Sequence, residues 1–358
     1  PSNLQLPQFN DCDGGRLLNL VPKPLDSGPS LMAAEDLIPN EKYLARPTPR
    51  RGYALLMSDE RTDEAARRRD SFALPRNRDL HQLYDSGLAS YRTEVGDYVL
   101  LRGSNFGYLD CPHSHDGGLG VILTLGGTPV FVDSGVGSYT QSEDERNWFR
   151  GAQGKNTILV AGAGPSHGDG WFTWKKKTDC ELVKMHRFET GFVARAKHAG
   201  FSDSPERHTF VQREVIMLDS GIVVIVDRWD SDNAIQIESR YTLHPGLDYD
   251  PAQKLLKGTG EHRVHLNGSS LNLGEEIEIV DNQQDYSPNY GLKSLTKAIS
   301  LRHPRSCRGG MVTIVSRCGE VEISSDGNVL VASEIQFNVT SQGVQLPLEL
   351  PLESAEQN

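Results

Sequence analysis

The chain has 358 residues, and its 37 Lys and Arg against 48 Asp and Glu give a formal charge of −11. That acidic balance disfavours nucleic-acid binding, which needs a basic face, and a hydrophobic content of 37% disfavours wholesale disorder. The longest purely aliphatic run, 222–226, is far shorter than the ~18 residues of a membrane helix, so no membrane span is predicted. Five scattered cysteines without a CxxC pair predict neither a zinc ribbon nor a dense disulfide framework.

Residues 1–90 form the first of two regions along the sequence. Seven prolines from Pro7 to Pro49 interrupt its short apolar segments, so only brief helices are predicted there, at 31–37 and 63–70. A region this short and broken is not expected to form a core of its own.

From about residue 91 the sequence changes to period-two alternation and β-branched runs, which predict strands. Turn pairs such as Gly126-Gly127 and Asp326-Gly327 separate them. One helix is predicted, with Ser142 as N-cap, an acidic first turn and an end near Arg150. Many short strands without intervening long helices predict a mainly β fold of stacked antiparallel sheets, a β-sandwich. The predicted strands are 98–102, 120–125, 129–133, 156–160, 180–186, 191–198, 208–218, 222–229, 235–243, 263–266, 270–273, 276–280, 311–316, 320–324, 329–333 and 336–339.

The densest polar cluster of the chain lies at 108–118, just before a predicted buried strand. His113 and His115 are two residues apart, so in an extended backbone both rings leave the same face. Such a pair suits a shared site, with one ring as a metal ligand and the other as an acid or base. Two alternatives stay open: a solvent loop with incidental histidines, and a cupin-like metal enzyme that needs a third ligand.

Further candidates follow in the next forty or so residues. Asp133 ends an apolar strand, where a carboxylate serves either as a ligand or as a turn cap. Arg146 and Arg150 are four apart and share a helix face, where two guanidinium groups could receive carboxylates. Trp171, Trp174 and Tyr139 offer flat faces for sugar stacking, although core packing is the more common role of an aromatic residue in a β protein.

An ordered series of motifs resembles the heparinase II/III-like polysaccharide lyases, a family that includes several alginate lyases. The similarity is strong over 91–165 and looser on either side, and 11–16 looks like the segment that closes the helical domain of that family. The blocks, in chain order, are His113-Ser114-His115-Asp116, Gly126-Gly127-Thr128-Pro129, Val132-Asp133-Ser134-Gly135, Gly137-Ser138-Tyr139, Arg146-Asn147-Trp148-Phe149-Arg150 and Asn156-Thr157 with Val160 and Gly162.

The resemblance implies an N-terminal α/α-toroid domain followed by a C-terminal β-sandwich. On that basis residues 1–90 are expected to be the tail of the toroid and 91–358 the sandwich. The resemblance also implies a bacterial-type protein, periplasmic or secreted, with an acidic polysaccharide and the toroid of the same protein as partners. Neither a nucleic acid nor a membrane is an expected partner.

The reaction implied by the resemblance is β-elimination of a uronic-acid glycoside. Neutralising the charge that develops on the C5 carboxylate is then the largest electrostatic requirement. His113 matches the histidine of the family that assists this proton and carboxylate chemistry. His115 and Asp133 match two ligands of a zinc ion, and Tyr139 is a further candidate acid or base. Arg150, Arg146 and Trp174 are the candidate substrate-binding residues.

Two departures from the family pattern bear on activity. Where the family has a third zinc ligand, a histidine before Asn-Thr, this chain has Lys155, and a protonated lysine cannot coordinate a metal. Either another group, such as His167 or His244, completes the site, or zinc is absent. Our hypothesis is that the Lys155 ammonium replaces the positive charge, pairing with Asp133 and holding His115.

The second departure is that catalytic residues of the toroid have no counterpart in a chain of this extent. Two functions therefore remain: the C-terminal portion of a lyase on uronic-acid polysaccharide, such as a glycosaminoglycan or alginate, or a non-catalytic β-sandwich that binds polysaccharide or supports a partner domain. Whether the chain is active alone is left open by the sequence.

Overall fold

A computed structural model describes residues 80–83, 87–107, 110–202, 209–258, 262–271, 275–319, 321, 329–332, 335–340 and 343–345. Nearly all of the regular structure in these residues is β-strand, as the sequence predicts. Both short helices predicted in the first region lie outside the described residues, as does nearly all of the predicted strand 320–324. No helix within the described ranges is long and apolar enough to cross a membrane.

The first sheet is an antiparallel meander whose strands pair in chain order. The described side chains of its strands are mostly buried. The first two strands of the sheet start at Leu80 and Leu88. Its strands are β1 (Leu80–Leu83), β2 (Leu88–Arg92), β3 (Tyr98–Arg102), β4 (Val121–Leu125) and β5 (Thr128–Phe131).

The second sheet is larger and also antiparallel throughout its described pairings. It consists of β6 (Ile158–Val160), β9 (Glu181–Phe188), β10 (Gly191–His198), β11 (Thr209–Leu218), β12 (Ile222–Thr242), β13 (Leu247–Asp250), β14 (Leu255–Gly258), β15 (Arg263–Ser270), β16 (Glu278–Asn289) and β17 (Leu292–Ser316). The order across the sheet is β13-β14-β15-β17-β12-β11-β10-β9, with β6 paired to β12 and β16 to β17. Two smaller sheets are the hairpin β7 (His167–Asp169) and β8 (Thr173–Lys176), and the strands β18 (Val329–Ala332), β19 (Ile335–Thr340) and β20 (Gly343–Gln345).

The two longest strands are longer than the sequence predicts. β12 joins two predicted strands, and its pairing with β17 shifts register between Asp230 and Ile235, so that the polar residues between them bulge without ending the strand. β17 was predicted only from residue 311, because its earlier residues do not alternate regularly between buried and exposed side chains and include Pro304 in a mostly exposed stretch at 304–308.

A shared apolar core joins the two larger sheets, because one buried cluster draws side chains from both. Tyr91 of β2 stacks on Phe192 of β10 with ring centroids 5.3 Å apart. Phe131 of β5 stacks on Tyr241 of β12 at 4.6 Å. The architecture is therefore a sandwich of stacked antiparallel sheets, which confirms the predicted fold class.

The helix α1 spans Glu143–Arg150 and confirms the prediction made from its capping signals. The Ser142 hydroxyl accepts a hydrogen bond from the backbone N–H of Glu145 at 3.3 Å, as an N-cap does. Its buried face carries Arg146, Phe149 and Arg150.

The Asn156 side chain connects both sheets through backbone groups inside the core. Its Nδ2 donates to the carbonyl of Val121 at 2.8 Å and to that of Val132 at 3.0 Å, and its Oδ1 accepts from the N–H of Thr242 at 2.6 Å. All of these groups are buried or nearly so, and each would be unsatisfied without the amide.

Arg213 and Asp227 form a fully buried ion pair beside Asn156. The two guanidinium–carboxylate contacts are 2.7 and 2.8 Å long, which is a bidentate geometry. A third nitrogen donates to the carbonyls of Asn156, at 2.7 Å, and of Leu119, at 3.0 Å. Burial alone lowers the pKa of Arg213, but the Asp227 charge outweighs it and the net pKa is raised.

Replacing Asn156 by Ala is expected to lower the free energy of unfolding by about 3 kcal/mol or more, because three buried backbone groups lose their partner. Urea unfolding of the variant measures this loss. The exposed Asn233→Ala serves as control and should stay within about 0.5 kcal/mol of the parent. Equal stability of the two variants would contradict the assigned role of the amide.

His198 is expected to make stability depend on pH. Burial first, and then the Lys176 ammonium, lower its pKa from 6.5 to about 3, so the folded chain holds it neutral while its Nδ1 accepts from Gly200 at 3.2 Å. As pH falls below 6.5, His198 binds a proton in the unfolded chain but stays neutral in the folded chain. The resulting loss is about 1.4 kcal/mol per pH unit.

The variant His198→Gln should therefore show a smaller drop in unfolding free energy between about pH 7 and about pH 5 than the parent. Parallel denaturant curves at the two pH values make the comparison. An unchanged drop in the variant would mean that this histidine is not held neutral by the fold.

Candidate functional site

The polar cluster predicted from the sequence forms a turn and loop at 110–118 that leads into β4. The N–H of Ser114 donates to the carbonyl of Cys111 at 3.0 Å, which closes the turn. The N–H of Asp116 donates to the carbonyl of Arg150, at the end of α1, at 2.7 Å. The loop is thus closed on itself near its start and held to the end of α1 near its own end by backbone hydrogen bonds.

The turn separates the two histidines by depth. His113 is exposed, whereas His115 is fully buried. The sequence argument placed both rings on one face by assuming an extended backbone, and that assumption is wrong because 112–113 is a turn. Only His113 can meet a ligand from solvent in this arrangement.

Four rings form an aromatic rim, defined here as His113, Tyr139, Phe172 and Tyr290, which includes the exposed histidine. Tyr139 lies at its centre, with ring centroids 6.2 Å from His113, 6.1 Å from Phe172 and 4.8 Å from Tyr290. The four rings come from four separate loops, including the turns of the β7–β8 and β16–β17 hairpins. Tyr290 is 39% exposed, so the rim offers an aromatic face to solvent.

The buried side chain of Arg146 supports the aromatic rim from the protein interior. Its guanidinium lies 5.1 Å from the centroid of the Tyr139 ring and 5.6 Å from that of Phe172, in cation–π geometry. The same group donates to the carbonyl of Pro112 at 2.9 Å and to that of Trp171 at 3.3 Å. One buried side chain therefore holds the loop before His113 and the hairpin turn that carries Phe172.

Arg150 makes a similar brace one turn later in α1. Its guanidinium lies 4.6 Å over the Trp174 ring, and its nitrogens donate to Asn147 Oδ1 at 2.8 Å and to the carbonyl of Gly170 at 2.5 Å. The indole N–H of Trp174 donates to the carbonyl of Cys111 at 3.2 Å. This contact ties the same hairpin to the start of the loop.

Both arginines have no exposed surface. Their observed contacts support a positioning role, in which they hold loops that carry other groups. Direct binding of a sugar carboxylate by Arg146 or Arg150, and sugar stacking on the half-buried Trp174, stay predictions.

Asp133 is paired with Lys155, as the hypothesis from the sequence proposed. The Lys155 Nζ lies 2.6 Å from Asp133 Oδ1 and 3.5 Å from both Ser134 Oγ and the carbonyl of Gly135. The same Oδ1 accepts from the N–H of Gly135 at 2.8 Å. The lysine side chain is 2% exposed and the aspartate 10%, so the ion pair is nearly shielded from water.

The zinc site implied by the resemblance does not fit the described residues. In that part of the chain no three His, Cys, Asp or Glu side chains lie together in a group able to hold a metal ion. An ammonium group instead contacts the carboxylate that would serve as a ligand. His167 is exposed in β7 and His244 is half-buried, and no such group includes either.

A small recess lies next to the ion pair, at the side of β3 and β4. Arg102, Gly117, Asp133, Lys155 and Asn156 are among its lining residues. Burial lowers the pKa of Arg102, while nearby charges that include Asp133 and Asp116 partly restore it. Two buried cations therefore face the recess, one of which the sequence analysis did not single out.

Asp116, near the end of the loop, carries a buried carboxyl group. Burial raises its pKa to about 6, and its Oδ2 accepts a hydrogen bond from the N–H of Ser166 at 3.1 Å. This contact fixes the loop against the segment that leads into β7.

Sequence reasoning missed Phe172, Tyr290 and Arg102 as members of the site. Tyr290 is far from the other rim residues along the chain, and its only local signal was the adjacent Asn289 and Gly291, a turn pair. Arg102 ends a well-predicted strand and carried no motif. Only the packing of the two hairpins brings these residues together.

Comparison with known proteins places this geometry in context. A family model described as "Heparinase II/III-like, C-terminal" matches residues 75–326. No curated protein sequence matches the chain.

Among solved structures, the protein named "Heparinase III-BT4657 gene product" is similar, with 13% identity over 95% of this chain and 49% of that one and a TM-score of 0.64. The heparan sulfate lyase HepC from Pedobacter heparinus has 15% identity over 100% of this chain and 52% of its own, with a TM-score of 0.64. A structure named heparinase III has 15% identity over 77% and 42%, with a TM-score of 0.56. At such identities the likeness is one of fold, and the chain spans about half the length of these proteins.

Replacing Arg146 by Lys is expected to make both loops that it holds more mobile. The planar guanidinium donates to two carbonyls and lies over two rings at the same time, and an ammonium lacks that geometry. Hydrogen exchange measured by mass spectrometry should become faster at 111–118 and 170–174. Arg308→Lys is the matched control, since Arg308 pairs with Asp230 in solvent. Similar exchange in both variants would argue against the brace.

Proposed function

This chain belongs to the heparinase II/III-like family, and we propose that it is the C-terminal part of a lyase that cleaves a uronic-acid polysaccharide by β-elimination. The observation that carries the proposal is the aromatic rim, where exposed His113 lies beside Tyr139. A proton-transfer group and a phenol at an open aromatic surface suit a sugar substrate. Glycosaminoglycan and alginate are the substrate classes that we would test first.

In the proposed reaction a base removes the C5 proton of the uronate. The electron pair forms the C4–C5 double bond as the C4–O4 bond breaks, and an acid returns a proton to the leaving O4. We assign the C5 proton to His113 and the O4 proton to Tyr139, whose rings lie in an edge-on arrangement with centroids 6.2 Å apart. Each group is expected to contribute about 10²–10⁴-fold to the rate.

The substrate carboxylate needs a positive or hydrogen-bonding partner as charge develops on it. Arg146 and Arg150 are buried and engaged with carbonyls and rings, so we propose that the partner comes from the helical N-terminal domain that the resemblance implies. The similar solved structures are about twice as long as the stretch that matches this chain, which leaves room for such a domain.

Burial of both arginines also favours a second candidate, a non-catalytic module that binds polysaccharide on the aromatic rim. In that case Tyr139, Phe172 and Tyr290 would stack on sugar rings without turnover. The two candidates differ in one observable, the unsaturated uronide product.

The test is the ultraviolet absorbance of that product, measured with the full-length protein on heparan sulfate and on alginate, with neutral dextran as control polysaccharide. Absorbance should rise with a uronic-acid substrate, and His113→Ala and Tyr139→Phe should each lower the rate by about 10²-fold or more. His262→Ala, an exposed histidine between β14 and β15, is the matched control and should keep full activity. Binding of these polysaccharides without product would support the non-catalytic module instead.

A further inference from the structure

We infer that the Lys155 ammonium takes the place of a metal ion in this chain and acts as a fixed internal cation for Asp133. The resemblance implied a zinc ligand at this position, and the described residues do not fit one. The inference concerns how the site is held together, and it stands whether or not the chain is a lyase.

The contacts of the ammonium resemble those of a small cation site. Lys155 Nζ approaches Asp133 Oδ1 at 2.6 Å and lies 3.5 Å from the Ser134 hydroxyl and from the Gly135 carbonyl. Those are three oxygens from three consecutive residues, directed at one buried positive charge. Because Oδ1 also accepts from the Gly135 N–H, this carboxylate oxygen already has two donors.

The local charge also opposes a metal ion. Arg102 is 5% exposed and lines the same recess as Lys155 and Asp133. An incoming divalent cation would meet two like charges in a region where water screens them poorly. It would also have to displace the ammonium, leaving the lysine charge buried without this partner, which is costly.

The ion pair fixes a turn that leads directly to the aromatic rim. Gly135 and Gly137 have φ values of 92° and 64°, a region that favours glycine. A side chain on Gly135 would collide with the Ser287 carbonyl of β16, at 1.9 Å from the Cβ position. Lys155 therefore holds a tightly packed turn, and Ser138 and Tyr139 follow within four residues of Gly135.

Metal analysis of the full-length protein tests the inference. After incubation with excess zinc and dialysis, the parent protein should hold no stoichiometric zinc and show no zinc-dependent rise in Tm. The variant Lys155→His removes the ammonium and supplies an imidazole donor beside Asp133. It should gain stoichiometric zinc, a higher Tm with zinc, and the visible absorption of tetrahedral cobalt(II) when that ion is used instead.

Lys155→Gln is the control for that gain, since an amide removes the charge without adding a nitrogen ligand, and it should not respond to zinc. Stoichiometric zinc in the parent protein, or an absent zinc response in Lys155→His, would overturn the inference.

A second measurement covers the loss of the ammonium itself. Lys155→Met should lower Tm by roughly 5–10 °C, because it leaves the Asp133 carboxylate nearly buried and unpaired. The double variant Asp133→Asn with Lys155→Met should recover part of that loss. Lys297→Met is the matched control. Like Lys155, Lys297 forms ion pairs, in its case with two carboxylates, but its side chain is 39% exposed. An equal effect at both lysines, or no effect at Lys155, would contradict the proposal.

Discussion

Buried polar groups need hydrogen-bond partners, and one short segment, 154–157, supplies such partners to several parts of the fold. The rest of the structure depends on this segment. The Asn156 amide serves backbone groups on β4, after β5 and on β12, and its own carbonyl receives Arg213. On one side Lys155 engages Asp133, and on the other the Thr157 hydroxyl donates to the carbonyl of Gly118. Three of these residues, Lys155, Asn156 and Thr157, thereby fix the loop at 110–118, the turn after β5 and the face between the sheets. Loss of any one contact would leave a polar group in a region without water to replace it.

The same requirement explains why the two arginines of α1 can lie inside the protein. A buried guanidinium is tolerated when its donors meet carbonyl oxygens and its faces meet aromatic rings, and Arg146 and Arg150 meet both conditions. Arg146 reaches the loop before His113 and the hairpin turn that carries Phe172, and Arg150 holds the same hairpin. The loops around His113 and Tyr139 are therefore supported by groups that solvent does not reach. A site built this way is preorganised, since the exposed groups are few and their supports are locked by packing.

Membership of a lyase family does not transfer every feature of that family to this chain. The sheet architecture is shared with heparinase III structures at 13–15% identity, a level at which fold persists while individual side chains are exchanged. Lys155 illustrates this, because it lies where the resemblance implies a metal donor, and its ammonium contacts the carboxylate of Asp133. The chemistry of the site must therefore be derived from the residues that are present.

Local patterns in the sequence determined the mainly β class, the strands at 98–102 and 191–198, the helix α1 with its Ser142 cap, and the family. Each of these depends on alternation, capping or motif order over a few residues, so no distant contact was needed to read them. The depth of His113 relative to His115, the burial of the two arginines and the approach of Tyr290 to Tyr139 were decided only by tertiary structure. These features arise where hairpins and turns far apart in sequence pack on one another, and burial is a property of that packing rather than of the residues themselves. For the same reason the first half of β17, which lacks a regular alternation of its own, is recognised as a strand only through its pairing with β12 and β16.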